Sequence, residues 1–398
     1  MSGRLLRLCC TAAVTTATAG ALLAFPPAAS AVPAPSDPGS RPVAELLTDL
    51  QRLYRDAERA TETYNATEEK LKRQRAEIVR LDGNLAKARL SLHDSRGAAG
   101  RLARQQYQGR TEISSYVRLL LARDPQHALD QGHVIRQLSL ERAETVERVV
   151  GNEKRIAGLA REARRALDGQ LTLAERQKKA RDEVRGRLED VEELLASLTV
   201  DQLAELAEFE KSGEAAAQKK FMASGALSSG VRRPSREGEE ALRYAVEQIG
   251  KPYEWGAEGP ASYDCSGLTS QAWERAGRPI PRTSQEQWAR LPHIPLSDLR
   301  PGDLVIYFPE ATHVALYLGD GVVVQAPRPG TKIKVSPIAA NPVLGAVRPD
   351  PGPPLPQGSY TPPRLPQGAM SGSHDGNGAP LQRRGKLHDR PQAARTPG

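Results

Sequence analysis

The chemistry this sequence offers centres on one thiol. Of three cysteines in 398 residues, Cys9 and Cys10 lie in an N-terminal segment expected to be removed, which leaves Cys265. A lone thiol makes no internal disulfide and supplies too few ligands for structural zinc, so it is a nucleophile, a buried filler or an intermolecular bridge. Asp264-Cys265-Ser266-Gly267 runs into Leu268 to Ala276, a helical stretch that Gly277 can stop. Cys265 would then sit at a helix N-terminus. Unpaired N–H groups and the helix dipole favour a thiolate there and lower the thiol pKa. The Cys265 N–H is also a candidate oxyanion donor.

A cysteine nucleophile needs a base, and the C-terminal part with folding potential holds only His293 and His313. His293 lies among prolines in an expected loop. His313 opens the β-prone run His313 to Leu318, in which alternation puts Val314, Leu316 and Leu318 on one face and His313, Ala315 and Tyr317 on the other. A third group must orient the imidazole. Gly319-Asp320-Gly321 reads as a hairpin turn, which places Gln325 opposite Ala315, one diagonal step from His313. Gln325 is the preferred candidate; Asp320 and Asp303 compete, although both suit turns.

These residues need a fold to hold them. Glu237 to Gly250 is a short amphipathic helix, the Cys265 helix follows, and Leu304–Phe308, His313–Leu318, Val322–Gln325, Lys332–Val335 and Val343–Val347 are short strands between Gly and Pro. Helices followed by a meander of strands read as α+β. All three tryptophans fall in this stretch, so the compact core is expected at 237–350.

Lys251-Pro252-Tyr253-Glu254-Trp255-Gly256, Tyr263 to Leu268, Pro301-Gly302-Asp303-Leu304-Val305 and His313 to Gly319, in that order, resemble the NlpC-type cell-wall cysteine peptidases. The resemblance covers roughly 237–348 and implies a papain-like α+β domain with a Cys265, His313 and Gln325 triad. It implies cleavage of peptidoglycan stem peptides between D-glutamate and the following diamino acid. It also implies substrate-binding roles for Tyr253, Asp264 and Ser266, with Asp264 as partner of a substrate amine. The third triad position is often His in that family, so Gln325 is a permitted departure, and Ala257 stands where a second glycine is common. No metal or organic cofactor is implied.

The rest of the chain supplies context. Residues 1–31 read as a signal peptide, with Arg4 and Arg7 before an apolar run and Ala29-Ser30-Ala31 as a cleavage site, which predicts a secreted, wall-associated protein. Residues 32–42 are a spacer. From 43 to 210 heptads recur, at Val43, Leu50, Ala57, Tyr64, Leu71, Ile78, Leu85, Leu92 and Ala99. With a break near Gly97 to Gly109 and an apolar tip at Leu119-Leu120-Leu121, the pattern predicts an antiparallel coiled-coil hairpin of two helices, each of about 55 residues and roughly 80 Å. Residues 211–236 read as a flexible linker and 351–398 as a disordered basic tail. The +8 formal charge resides largely in the appendages, which argues against nucleic acid as a partner.

Secreted members of the resembling family with such a rod look like division or growth hydrolases, held quiet until a membrane-embedded division complex engages the rod. The sequence thus predicts a peptidoglycan endopeptidase that its coiled coil regulates or localises. Two alternatives stay open: an amidase or acyltransferase on the same fold, and a wall-binding adaptor without turnover.

Overall fold

A computed structural model describes residues 41–108, 117, 124–228, 232–356 and 360–370. The expected signal peptide and the tip at Leu119-Leu120-Leu121 lie outside the described residues. Two long helices, α1 (Val43–Gln108) and α2 (Pro125–Ala196), pack along each other as an antiparallel hairpin, and α3 (Val200–Ala223) returns from its base. Leu46, Leu47, Leu50, Tyr54, Val191 and Leu206 form the core where the three helices meet. Further out the seam thins to Leu81, Ala163 and Ala166, with Ile78 and Leu159 beside them.

Two expectations about this region are corrected. The break near Gly97 is absent, and α1 runs on to Gln108; isolated glycines among good helix formers each weaken a helix by only about 1 kcal/mol. The stretch read as a linker is helical as far as Ala223. Thr199 and Gln202 close a capping box at the start of α3. The helix is then held by the domain beyond it: the Gln218 side-chain amide donates to the Gly321 carbonyl at 2.9 Å and its Oε1 accepts from the Ala339 N–H at 3.1 Å.

The C-terminal domain opens with α4 (Arg236–Glu247), α5 (Cys265–Arg275) and α6 (Ser284–Arg290). Six antiparallel strands follow: β1 (His293–Ile294), β2 (Leu304–Tyr307), β3 (His313–Gly319), β4 (Val322–Gln325), β5 (Lys334–Pro337) and β6 (Val343–Val347), ordered β1-β6-β2-β3-β4-β5. Alternation along β3 sends Val314 and Leu316 into the layer shared with Ala241, Leu242, Leu268 and Trp273 of α4 and α5. Ala315 and Tyr317 face a second layer with Val305, Tyr307 and Ile338. Both faces are thus buried, so the strands hold α5 rigidly over the centre of the sheet.

The tail expected to be disordered from 351 is corrected over its first part. The Leu355 N–H donates to the Pro234 carbonyl at 2.8 Å, the Val335 N–H donates to the Ala369 carbonyl at 2.8 Å, and Ala369 joins the core. A proline-rich segment lacks the apolar mass to fold alone, but here its backbone finds partners in β5 and in the stretch just before α4.

Candidate active site

Cys265 is the first residue of α5. Asp264 caps the helix by accepting from the Gly267 N–H at 2.6 Å. Gly267 is required on steric grounds, because a Cβ there would come within 2.2 Å of the Ala257 carbonyl oxygen. The thiol is buried at 2% exposure and lies at the start of β3, where the Val314 N–H draws its pKa down. His313, fully buried, begins that strand.

The β3–β4 register pairs Leu316 with Val324 and Tyr317 with Val323, as the hairpin reading expects. Gln325 then lies diagonal to His313, and its Oε1 is 2.6 Å from Nε2. An amide oxygen only accepts, so Nε2 carries the hydrogen and Nδ1 is the nitrogen left for proton exchange. The competing carboxylates are committed elsewhere: Asp303 pairs with Arg348 at 2.8 Å, and Asp320 sits in the turn with φ of 49°. His293 is exposed and stacks on Trp288 at 3.8 Å.

Among the expected binding residues, Tyr253 is buried, with its N–H on the Thr331 carbonyl at 2.9 Å. Asp264 is already saturated by Arg282 Nη2 at 2.7 Å, the Gly256 N–H at 2.9 Å, the Gly267 N–H and Asn65 Nδ2 at 3.0 Å. It has no lone pair to offer a substrate amine in this state, so its place here is that of Arg282's counter-ion and helix cap. Ser266 Oγ accepts from Arg282 Nη1 at 2.8 Å and donates to Glu62 Oε1 at 2.7 Å.

Glu62 belongs to α1. The hairpin's first helix lies across the site and presents Glu58, Glu62 and Asn65, one helical turn apart, to the domain. Glu62 Oε2 accepts from the Ser284 N–H at 2.8 Å, and Oε1 lies 3.9 Å from the Cys265 sulfur. Glu58 Oε1 is 3.4 Å from His313 Nδ1, an ion-pair distance without hydrogen-bond alignment. Tyr64 packs edge-on to Trp255 at 5.0 Å, and Lys72 reaches Glu258 at 3.1 Å.

The electrostatics follow from this cover. Burial, then the carboxylates of Glu62, Asp264 and Glu58, hold the Cys265 thiol well above its ordinary pKa, against the pull of the Val314 N–H. The lowering expected from the helix N-terminus is therefore outweighed, and the thiol is neutral. His313 moves the other way. Burial alone would lower it, but Glu58, Gln325 and Glu62 together raise it. Glu62 is pushed up to about 7 by burial and by Asp264, against Arg282, Ser266 and Ser284. His313 thus faces the Glu58 carboxylate, at 3.4 Å from Nδ1, where a reactive site would place the thiolate.

Sequence reasoning missed Glu58, Glu62, Asn65, Arg282 and Ser284. Pro281-Arg282-Thr283-Ser284 carried a legible signal, since a charge and an N-cap stand together before a helix. The three α1 residues are far in sequence from everything they touch.

The NlpC/P60 family model matches residues 250–345. A probable endopeptidase of Corynebacterium glutamicum is 43% identical over 111 residues, 28% of this chain and 53% of that protein. A probable endopeptidase of Mycobacterium bovis is 36% identical over 108 residues, 27% of this chain and 28% of that one. The crystal structure of the NlpC/p60 domain of the peptidoglycan hydrolase SagA is 32% identical, covers 28% of this chain and 97% of its own, and has a TM-score of 0.27. The chain thus spans about half, or less, of the length of these curated relatives.

Proposed function

We propose, for a chain that belongs to the NlpC/P60 family of cysteine peptidases through residues 250–345, that it is a secreted peptidoglycan endopeptidase whose helical rod holds its active site closed. Cys265 is the nucleophile, His313 the base and Gln325 the orienting residue. His313 Nδ1 takes the thiol proton, the thiolate attacks the amide carbonyl carbon, and the Cys265 N–H receives the oxyanion. His313 then protonates the leaving amine, and water, deprotonated by the same imidazole, hydrolyses the thioester. Gln325 fixes the tautomer that this sequence requires.

The observation that carries the reading is the carboxylate seat beside the thiol. Glu62 is held by the Ser266 hydroxyl and the Ser284 N–H, next to Arg282. A D-glutamate linked through its side-chain carbonyl keeps a free α-carboxylate near the scissile bond. Such a substrate suits this seat, which supports the bond between D-glutamate and the following diamino acid. Glu62 then blocks the site by occupying that seat, and Glu58 does so by pairing with the base. The opening partner we propose is a membrane-embedded division complex that engages the rod and draws α1 away, with the enzyme acting in the cell wall.

The test is mass analysis of muropeptides after incubation with the full chain, its Glu62→Arg variant, and that variant carrying Cys265→Ala. Stem fragments ending in D-glutamate, abundant with Glu62→Arg and absent with the double variant, are expected. Release of the whole stem from the glycan would instead mean an amidase. No product from any of the three would remove the peptidase reading.

A further inference from the structure

Beyond Gln325 the covered groove does not end. It opens into a cavity of about 1200 Å³ whose lining includes Tyr54 and Glu58 of α1, Glu210 and Glu214 of α3, and Gln325 and Arg328 of the domain. Lys334 lines it too and pairs directly with Gln325 in the β4–β5 register. Opposed residues of an antiparallel pair share a face, so the Lys334 side chain leaves the sheet beside that of Gln325. Two cations of the domain therefore stand past the imidazole.

Both are covered by carboxylates of the rod. The Arg328 guanidinium meets the Glu210 carboxylate with two parallel hydrogen bonds, Nη2 to Oε2 at 2.8 Å, and stacks 4.6 Å over the Tyr54 ring. Glu214, one turn further along α3, lines the same cavity, and of the opposite charges there Lys334 pulls most on its carboxyl. This is how a guanidinium reads a carboxylate: bidentate, planar and largely withdrawn from water.

The order of contacts along α1 gives the direction. Tyr54 meets Arg328, Glu58 meets His313, and Glu62 meets Ser266 and Ser284, each four residues on. At 1.5 Å per residue the steps are about 6 Å, so Arg328 lies roughly 12 Å from the Ser266 seat with His313 between them. The imidazole gives its proton to the departing nitrogen. What lies past His313, away from Ser266, therefore belongs to the amine fragment.

We propose that Arg328 and Lys334 form a leaving-side subsite that holds a free carboxylate of the substrate's amine fragment, and that Glu210 stands in for this carboxylate in the closed chain. The inference rests on the peptidase reading of the same groove. It means that two carboxylates of the rod, Glu62 and Glu210, flank the catalytic imidazole, one on each side, while Glu58 pairs with the imidazole itself. A substrate about three to four extended residues long spans that distance. Arg328 is a specificity residue here: it recognises the fragment and takes no part in the proton transfers.

The experiment uses the full chain with Glu62→Arg and Glu210→Gln, in the preparation whose Cys265 reacts with iodoacetamide, and measures binding by calorimetry without turnover. The probes are lysyl-D-alanine as the free acid and as its C-terminal amide. The free acid is expected to bind at least ten-fold more tightly. Adding Arg328→Gln should erase that difference while leaving the amide's affinity unchanged, and Arg328→Lys should restore part of it. Equal affinity for acid and amide, absence of binding by either, or a preference that survives Arg328→Gln would overturn the proposal. An Arg328 that merely clamps α3 to the domain would move both probes alike. Because binding is read without cleavage, failure of the muropeptide assay would sink the peptidase reading and leave this result standing.

Discussion

The two halves of α1 are built on opposite principles. Near the domain, the helix buries Glu58, Thr61, Glu62 and Asn65 with few aliphatic residues around them. Beyond Leu81 the helix buries only a thin stripe, and Leu90 of α1 with Leu138, Val146 and Val150 of α2 face solvent. An apolar seam tolerates sliding and substitution, because its attraction is non-directional. A buried polar contact does not, since each group is satisfied in one geometry only, and removing one partner leaves the other stranded. The near half is therefore the part of the rod that can hold a site shut in one register and release it all at once.

The comparison breaks first at the thiol. If the near half matters because it covers Cys265, then Cys265→Ala in the opened Glu62→Arg chain should lower muropeptide cleavage by roughly 10³-fold or more. Turnover that survives at more than a tenth would place the chemistry elsewhere. Opening itself comes next. Glu62→Arg sets a cation against Arg282 and strips Ser266 and Ser284 of their acceptor, and breaking a buried ionic contact costs about 3–5 kcal/mol. Cys265 alkylation by iodoacetamide should rise about 100-fold over the wild-type chain. An unchanged rate would mean that the polar face does not hold the lid.

A smaller effect follows from pH. Glu62, at about 7 when covered against an ordinary 4.5, keeps a proton that the open chain releases, so closure weakens as pH rises across that interval. His313 is raised in the covered site and favours its cation beside Glu58. Its contribution to closure is full below its ordinary value of 6.5 and is lost as pH climbs through the raised one. Arg282 stays charged throughout, and the Cys265 thiol stays neutral while covered. Both titrations favour closure in acid. The ratio of alkylation rates, Glu62→Arg over wild type, should therefore shrink several-fold from pH 5 to pH 8. A ratio that stays constant or grows contradicts the sign.

The placement of Cys265 at a helix start and of Gln325 beside His313 was legible because the signals are local. Asp264 and Gly267 mark a helix start, alternation marks β3, and Gly319 to Gly321 sets the register that brings Gln325 to His313. The cover was not. Cys265 and Glu62 meet across 203 positions, and the heptad reading assigned Tyr64 to the seam, whereas it packs on Trp255. A trace was present in the polar run Thr61-Glu62-Thr63 with Asn65 and Thr67, which interrupts a helix that has no reason of its own to be polar on that side. The α3 helix was obscured for another reason. Ala, Gly and Ser content suggested flexibility, while the Gln218 and Glu210 contacts that fix it lie in the domain it docks on.

The smallest expected effect lies at the far end of the rod, and it sharpens the contrast because it should be almost nothing. Val146 is 60% exposed and its loss empties no core, so Val146→Asp should change thermal stability by no more than about 0.5 kcal/mol. It should also leave Cys265 alkylation at the wild-type rate. The residue is as aliphatic as any in the seam, so a hydrophobicity argument alone would predict a loss on a par with Leu81. A Val146→Asp chain that unfolds early would show that the distal face is covered by something within this protein, and one that alkylates faster would show that the distal half reports to the thiol. Either result would dissolve the division of α1 into a seam and a lid. An inert substitution there, beside a 100-fold effect at Glu62, would locate the lock within the few turns from Tyr54 to Asn65.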